Sequence, residues 1–195
     1  GDTVEIVTTV PRDAFQVVVL TISDRCARGD TVDTAGPAVA RRITEALQAH
    51  LYTTRIIPDE QSEIETAVRH FADRNSIDVV FAVGGTGFAA REVTPEAVAA
   101  VVERRTPGLD EAMRRASSEK TPHAMLSRAV SGIRGGTLIV SLPGSEQAAV
   151  ENLDAILPAL GHGLAKLRGD PSDCGRHGGG SMTLAKTQRA QRTLT

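Results

Sequence analysis

The feature that most constrains this chain is a junction near its middle. Asp78-Val79-Val80-Phe81-Ala82-Val83 runs without a spacer into Gly84-Gly85-Thr86-Gly87. An apolar, β-branched run bounded so sharply reads as a central strand, buried on both faces. The glycines let the backbone turn tightly at the strand end and aim successive N–H groups at one point. That makes a concave anion site without a formal charge, for which phosphate is the natural guest. The alternative is a tight strand-to-helix turn that binds nothing.

The rest of the sequence supplies a sheet around such a strand. Residues 16–22 are a second β-branched run, ended by the polar pair Ser23-Asp24. Val39, Ile43 and Leu47 recur every four residues between 37 and 50, which predicts an amphipathic helix with Pro37 in its first turn. A short strand near 53–57 stops at Pro58-Asp59. Ser62-x-x-Glu65 has the form of a capping box, opening a helix that buries Ile64, Val68 and Phe71. After the glycine loop, Thr94-Pro95-Glu96 offers an N-cap, a tolerated proline and a first-turn acid. Thr106-Pro107-Gly108 ends that helix. Leu109, Ala112, Met113 and Ala116 mark the next, followed by a polar loop over 121–136. Residues 137–142 form a last strand, broken by Pro143-Gly144-Ser145, and the helix beyond it carries leucines as far as Leu167, with a kink expected at Pro158.

Strands alternating with helices predict an α/β domain: a mostly parallel sheet covered on both faces. Its bounds are 16–170, with an N-terminal extension over 1–15 and a Gly-, Ser- and Thr-rich flexible tail over 171–195. In such sheets ligands sit beyond the carboxyl ends of the strands. Ser23-Asp24, Pro58-Asp59, the Gly84 loop and the Pro143 loop all follow strands, so topology alone gathers them along one edge.

Bulk properties exclude several classes. A formal net charge of −2 gives no general attraction to nucleic acid or anionic lipid, so anion binding has to be local. The 2 cysteines, Cys26 and Cys174, lie far apart with no metal-ligand spacing, which implies reduced thiols and no zinc site. Acidic residues near the N-terminus and the lack of a long apolar stretch argue against a signal peptide or a membrane anchor, which leaves the cytoplasm.

Asp59 and Glu92 are suited to hold Mg²⁺ against a nucleotide's phosphates, because Mg²⁺ takes one or two carboxylates plus phosphate oxygens. The bland alternative makes Asp59 a turn residue and Glu92 a solvated acid. Ser127, Arg128, Arg134 and Ser145 supply hydroxyl and guanidinium donors suited to phosphate, although single residues of this kind are usually surface groups. His123 is more often structural or solvated than chemical in such a loop. A rival dinucleotide fingerprint, Gly85-x-Gly87-x-x-Ala90, lacks the acid expected at the end of a following strand, and no GxxxxGK[ST] loop occurs.

Taken as a set, the motifs resemble the molybdopterin adenylyltransferase family, the Mog/MoaB type, similar to the G domain of gephyrin. The resembling residues include Thr21-Ile22-Ser23-Asp24-Arg25, Gly36-Pro37, Ile57-Pro58-Asp59-Glu60, Gly84-Gly85-Thr86-Gly87-Phe88 and Arg91-Glu92-Val93-Thr94-Pro95-Glu96. Thr106-Pro107-Gly108, Leu126-Ser127-Arg128, Gly132-Ile133-Arg134-Gly135 and Leu142-Pro143-Gly144-Ser145 follow in family order. The resemblance implies a three-layer α/β/α sandwich of molybdopterin-binding type, a homotrimer, and transfer of AMP from Mg-ATP to the terminal phosphate of molybdopterin. It also implies a possible hand-over to a molybdate-insertion enzyme. By the same resemblance Asp59 and Glu92 match catalytic, metal-holding acids. Ser23, Asp24, Gly84, Gly85, Thr86, Gly87, Ser127, Arg128, Arg134, Pro143, Gly144 and Ser145 match substrate-binding segments. The chain departs from the family pattern at one point, with Arg91-Glu92 where the family usually has Arg-Asp, which motivates a second reading as a non-catalytic pterin carrier.

Overall fold

The computed structural model describes residues 14–171; the greater part of the predicted extension and tail, with Cys174, lies outside the described residues. Six strands form one sheet in the order β2-β1-β3-β6-β5-β4. β1 (Gln16–Ile22), β2 (His50–Ile57), β3 (Val79–Val83) and β6 (Thr137–Leu142) run parallel to one another. β5 (Ser131–Arg134) and the two-residue β4 (Arg104–Arg105) complete the other edge in antiparallel pairing.

The strand side chains alternate between two cores, as the two-residue period of a strand requires. Val17, Val19, Val79, Phe81, Val140 and Leu142 face a layer made by α2 (Ala35–Leu47), α5 (Pro107–Ser118) and α6 (Glu146–Leu167). Val18, Leu20, Val80, Ala82 and Ile139 face α3 (Gln61–Ala72) and α4 (Thr94–Val101). The three-layer α/β/α expectation therefore holds. The consequence that matters for function lies in the register. Ile22 pairs with Ile57, Thr21 with Val83, and Val83 with Leu142. Four parallel strands thus end in one row, and the residues that follow them share one edge.

Several local expectations are corrected. α2 stops at Leu47, where Gln48 takes a left-handed φ of 49°, and His50 opens β2 rather than closing the helix. α3 starts at Gln61 with Glu60 as its cap residue, so Ser62 sits inside the first turn and forms no capping box. The Glu60 carboxylate is drawn instead to Arg91, 2.7 Å away. α4 is capped by Val93, which leaves Thr94 as its first helical residue, fully buried. The loop predicted over 121–136 contains a 3-10 turn (Pro122–Leu126) and β5, whose four residues are too few to show a period. The Gly135-Gly136 turn into β6 was the available hairpin signal. As expected, one helix, α6, spans Glu146 to Leu167 with Pro158 inside it, anchored by buried Leu153, Ile156, Leu160 and Leu164.

Ser145 forms the N-cap of α6, its side chain accepting from the Ala148 amide at 3.3 Å. Ser145→Ala should cost about 1 kcal/mol of stability in urea unfolding. Ser62→Ala should change it by less than about 0.5 kcal/mol, since the lost hydroxyl caps nothing.

Candidate functional site

The site grows from the row of strand ends. Ser23 follows β1 and caps the short helix α1 (Asp24–Ala27) by accepting from the Cys26 amide at 3.2 Å. Asp24 and Asp59 then bind each other's backbone. The Asp24 amide donates to Asp59 Oδ2 at 2.7 Å, and the Asp59 amide donates to Asp24 Oδ1 at 3.0 Å. This reciprocal pair ties the loop after β1 to the loop after β2. Arg91, from the segment following the glycine loop, closes the cluster with hydrogen bonds to both oxygens of Asp24 (2.9 and 3.1 Å) and to Glu60.

The two carboxyls titrate in opposite directions. Partial burial pulls Asp24 upward, but hydrogen bonds from Arg91 and the Asp59 amide, with the charges of Arg91 and Arg28, outweigh it and lower its pKa. Burial also raises Asp59, and there it wins. The Asp24 amide and Arg91 favour the ionised form, while the negative charges of Asp24 and Glu92 oppose it.

Gly84 and Gly85 have φ of +118° and +62°, in the positive region that favours glycine. A Cβ on Gly84 would lie 2.3 Å from the Ile22 carbonyl oxygen. The Gly84 amide donates to the Leu142 carbonyl at 2.9 Å, so it is already engaged by the protein. Among the described residues, no hydrogen bond uses the amides of Gly85, Thr86 or Gly87. Both predicted acids press on this turn. Asp59 Oδ1 would lie 3.0 Å from a Cβ on Gly85, and Glu92 Oε2 2.7 Å from one on Gly87. Glu92 Oε2 also accepts from the Ala89 amide at 2.7 Å, which folds the 88–92 segment back on itself.

Two cavities flank the loop. One, of about 360 Å³, is polar and includes Thr21, Ser23, Asp59, Gly85, Arg91 and Cys26 in its wall. The other, of about 300 Å³ and mainly apolar, is bounded by Thr86, Ser127, Pro143, Arg114, His123 and Asn152. Glu92 and Gly144 belong to both walls, so the cavities adjoin.

The predicted residues divide accordingly. Ser23, Gly84, Gly85, Thr86, Gly87, Ser127, Pro143 and Gly144 line one or both cavities. Asp24 stands behind the site, as the partner of Asp59 and Arg91. Arg128 is a brace: its guanidinium donates to the carbonyls of Gly87 and Glu92 and pairs with Glu96, while its amide donates to Thr86 O. Ser145 is occupied as the cap of α6 and lines neither cavity. Arg134 is corrected outright. It pairs with Thr137 at the start of β6, the opposite edge of the sheet, and binds Asp73 at 2.7 Å, because antiparallel β5 carries it away from the site.

Sequence reasoning missed Asp33. It accepts from Thr21 Oγ1 at 2.6 Å and from the Gly36 amide at 3.0 Å, building a wall of the polar cavity. An Asp three residues before a helical glycine was the available cap signal. Arg114, Ser117 and Asn152 in the second cavity come from the interiors of α5 and α6, where no local pattern marks them.

Comparison with known proteins gives the family. The gephyrin of Dictyostelium discoideum is 38% identical over 164 residues, 80% of this chain but only 23% of that protein. The molybdopterin adenylyltransferase of Escherichia coli strain K12 is 39% identical over 151 residues, 77% of each chain. The crystal structure of the molybdopterin biosynthesis enzyme MoaB from Thermus thermophilus superposes with a TM-score of 0.73 at 43% identity, covering 80% of this chain and 98% of that one. Residues 18–162 match a family profile described as "Probable molybdopterin binding domain". The chain accordingly belongs to the molybdopterin-binding family of molybdenum cofactor biosynthesis.

Proposed function

We propose that this protein transfers AMP from Mg-ATP to the terminal phosphate of molybdopterin and releases pyrophosphate. The observation that carries the reading is the pair of adjoining cavities, one polar and one apolar, meeting at a glycine turn against which two carboxylates rest. In this reading the polar cavity takes the nucleotide's phosphates and the apolar one takes the pterin. The shared wall at Glu92 and Gly144 is where the two phosphates meet.

An oxygen of the pterin phosphate attacks the α-phosphorus of ATP. The new P–O–P bond forms as the α–β bond breaks, and pyrophosphate leaves. The chain's task is to hold two anions in line, because phosphoryl transfer asks little covalent work of the protein. The amides of Gly85, Thr86 and Gly87 are aligned donors for the charge that develops. Asp59 and Glu92 would hold Mg²⁺; each keeps one oxygen with no described hydrogen bond, and Mg²⁺ needs only one or two carboxylates beside phosphate oxygens. When bound, the ion neutralises phosphate charge. Arg91 keeps Asp24 and Glu60 paired so that Asp59 meets the cavity without further competition. The same reading makes the protein a cytoplasmic homotrimer that passes its product to a molybdate-insertion enzyme. Among the described residues, no helix is long and apolar enough to cross a membrane.

One observation favours a second reading. The longer side chain of Glu92 is already engaged with the Ala89 amide, as suits a loop clasp in a pterin carrier without turnover. Direct assay of AMP transfer, with pyrophosphate release as readout, separates the two: pterin binding without release selects the carrier. If the enzyme reading is right, Asp59→Asn lowers turnover by about a hundred-fold or more. Glu92→Gln keeps an oxygen for Ala89 but removes the charge, and turnover should fall by a similar factor while the melting temperature holds.

A pH test follows from the raised Asp59 carboxyl, measured without nucleotide or divalent cation. The folded protein holds that proton more tightly than the unfolded chain, so stability is lost as pH rises from 3.8 through the folded value. Asp59→Asn should remove that loss, giving a higher melting temperature at pH 7 and little difference at pH 3.

A further inference from the structure

Asn152 is a polar residue in an apolar place. It lies inside α6 and is 3% exposed, on the face that also buries Ala149, Leu153 and Ile156. Asparagine is a weak helix former and an amide is costly to bury, so leucine would suit the position better on both counts. The carboxamide is pinned through its nitrogen. Nδ2 donates to the Ala148 carbonyl at 2.7 Å and to Ser117 Oγ, on α5, at 2.8 Å. A carbonyl only accepts, so the atom facing Ala148 is the nitrogen, and the orientation of the amide is set by its partners.

Oδ1 is thereby fixed in place with no partner of its own. Among the described residues no hydrogen bond reaches it, and the one side-chain oxygen or nitrogen both sealed from solvent and unpartnered is Thr94 Oγ1. An acceptor that is unpartnered but not sealed opens onto the mainly apolar cavity whose wall includes Asn152. Its neighbours complete the pattern. Glu151 lines the same cavity but is paired with Lys120 at 2.8 Å. Arg114, one turn before Ser117 on α5, also lines it, and gives one N–H to the Ala129 carbonyl at 3.3 Å out of the five a guanidinium carries. A neutral acceptor and a cationic donor thus share one wall, the arrangement by which a few polar groups orient a flat ring in an apolar pocket. The pyrimidine edge of a pterin presents the complement: N–H donors at N3 and at the 2-amino group, and an oxo acceptor at C4.

We infer that Asn152 is a pterin-recognition residue: its Oδ1 accepts from the N3–H and 2-amino edge of the ring, with Arg114 on the side of the 4-oxo group. The two hydrogen bonds at Nδ2 hold the acceptor in position before the ligand arrives, so little ordering is left to be done on binding. A ring without those N–H donors would leave the amide oxygen unpaired in the complex, which is how such a site tells related rings apart. The inference rests on the reading that the apolar cavity takes the pterin, and its test separates the two.

A crystal structure of the wild type with molybdopterin, in the absence of ATP, tests the contact without turnover. Asn152 Oδ1 should lie about 2.9 Å from N3 or from the 2-amino nitrogen. A pterin seated in this cavity with that edge turned away from Asn152 overturns the inference and leaves the proposed function standing. A pterin bound elsewhere, or not bound at all, overturns both. Kinetics give the second arm. Asn152→Leu keeps the shape of the side chain and removes the acceptor, so KM for molybdopterin should rise about ten-fold, the scale of one hydrogen bond, while KM for ATP and the melting temperature hold. An unchanged KM for molybdopterin, or a parallel rise for both substrates, also overturns it. Should the leucine variant fold poorly, the crystallographic arm decides without any variant. A wild type that binds molybdopterin through Asn152 but transfers no AMP would sink the proposed function and uphold the role of Asn152.

Discussion

Gly84 is where three strands are stitched together. Its amide donates to Leu142 at the end of β6, and its Cα sits so close to the Ile22 carbonyl at the end of β1 that a methyl group would overlap it. Any larger residue would force these strand ends apart, and with them the loops that carry Ser23, Asp24, Pro143 and Gly144. Beyond this turn, made at a φ of +118°, no described hydrogen bond uses the amides of Gly85 to Gly87. Site geometry is therefore a consequence of sheet closure at one glycine, and the surrounding polar groups are arranged on that frame.

The polar groups form a layered arrangement of charge. Arg91 is exposed and shared by Asp24 and Glu60, and surface pairs of that kind contribute about 0 to 1 kcal/mol each. Its value lies in geometry. By occupying Asp24 it leaves Asp59 as the carboxylate that faces the cavity with an oxygen to spare, and the raised pKa of Asp59 reflects that poorer solvation. Arg128 works from the other side, holding the carbonyls of Gly87 and Glu92 so that the loop cannot relax outward. Arg128, read from sequence as an anion binder, thus spends its donors on the protein itself.

This explains what was legible in the sequence and what was not. The central strands were legible because a strand buried on both faces reads as a nearly continuous apolar run, as Val17 to Leu20 and Val79 to Val83 do; the exposed edge strand β2 gave a weaker signal. The common edge was legible because parallel strands joined by helices have to end on the same side. Asp59 and the glycine turn stood out because they closely follow β2 and β3, whereas Glu92 lies well beyond the end of β3 at Val83. Arg134 failed for the converse reason: β5 is four residues long and antiparallel, and nothing in Ser131-Gly132-Ile133-Arg134 announces its direction. Arg128 failed because its partners lie 32 to 41 residues away, and composition cannot tell a donor aimed at ligand from one aimed at a backbone carbonyl.

Glu92 shows how a departure from pattern becomes intelligible only in three dimensions. An extra methylene displaces a carboxylate by more than about 1 Å, enough to disable a positioned group if nothing absorbs it. Here Gly87 absorbs it. With no Cβ at that position, the longer side chain lies with both carboxylate oxygens against Gly87 and takes the Ala89 amide through Oε2. The same contact makes residues 87 and 92 interdependent, since a side chain at 87 would expel the carboxylate and a shorter acid at 92 would leave the Ala89 amide unreached. The substitution is thus accommodated by the glycine loop itself, and the charge it delivers stays in the wall shared by the two cavities.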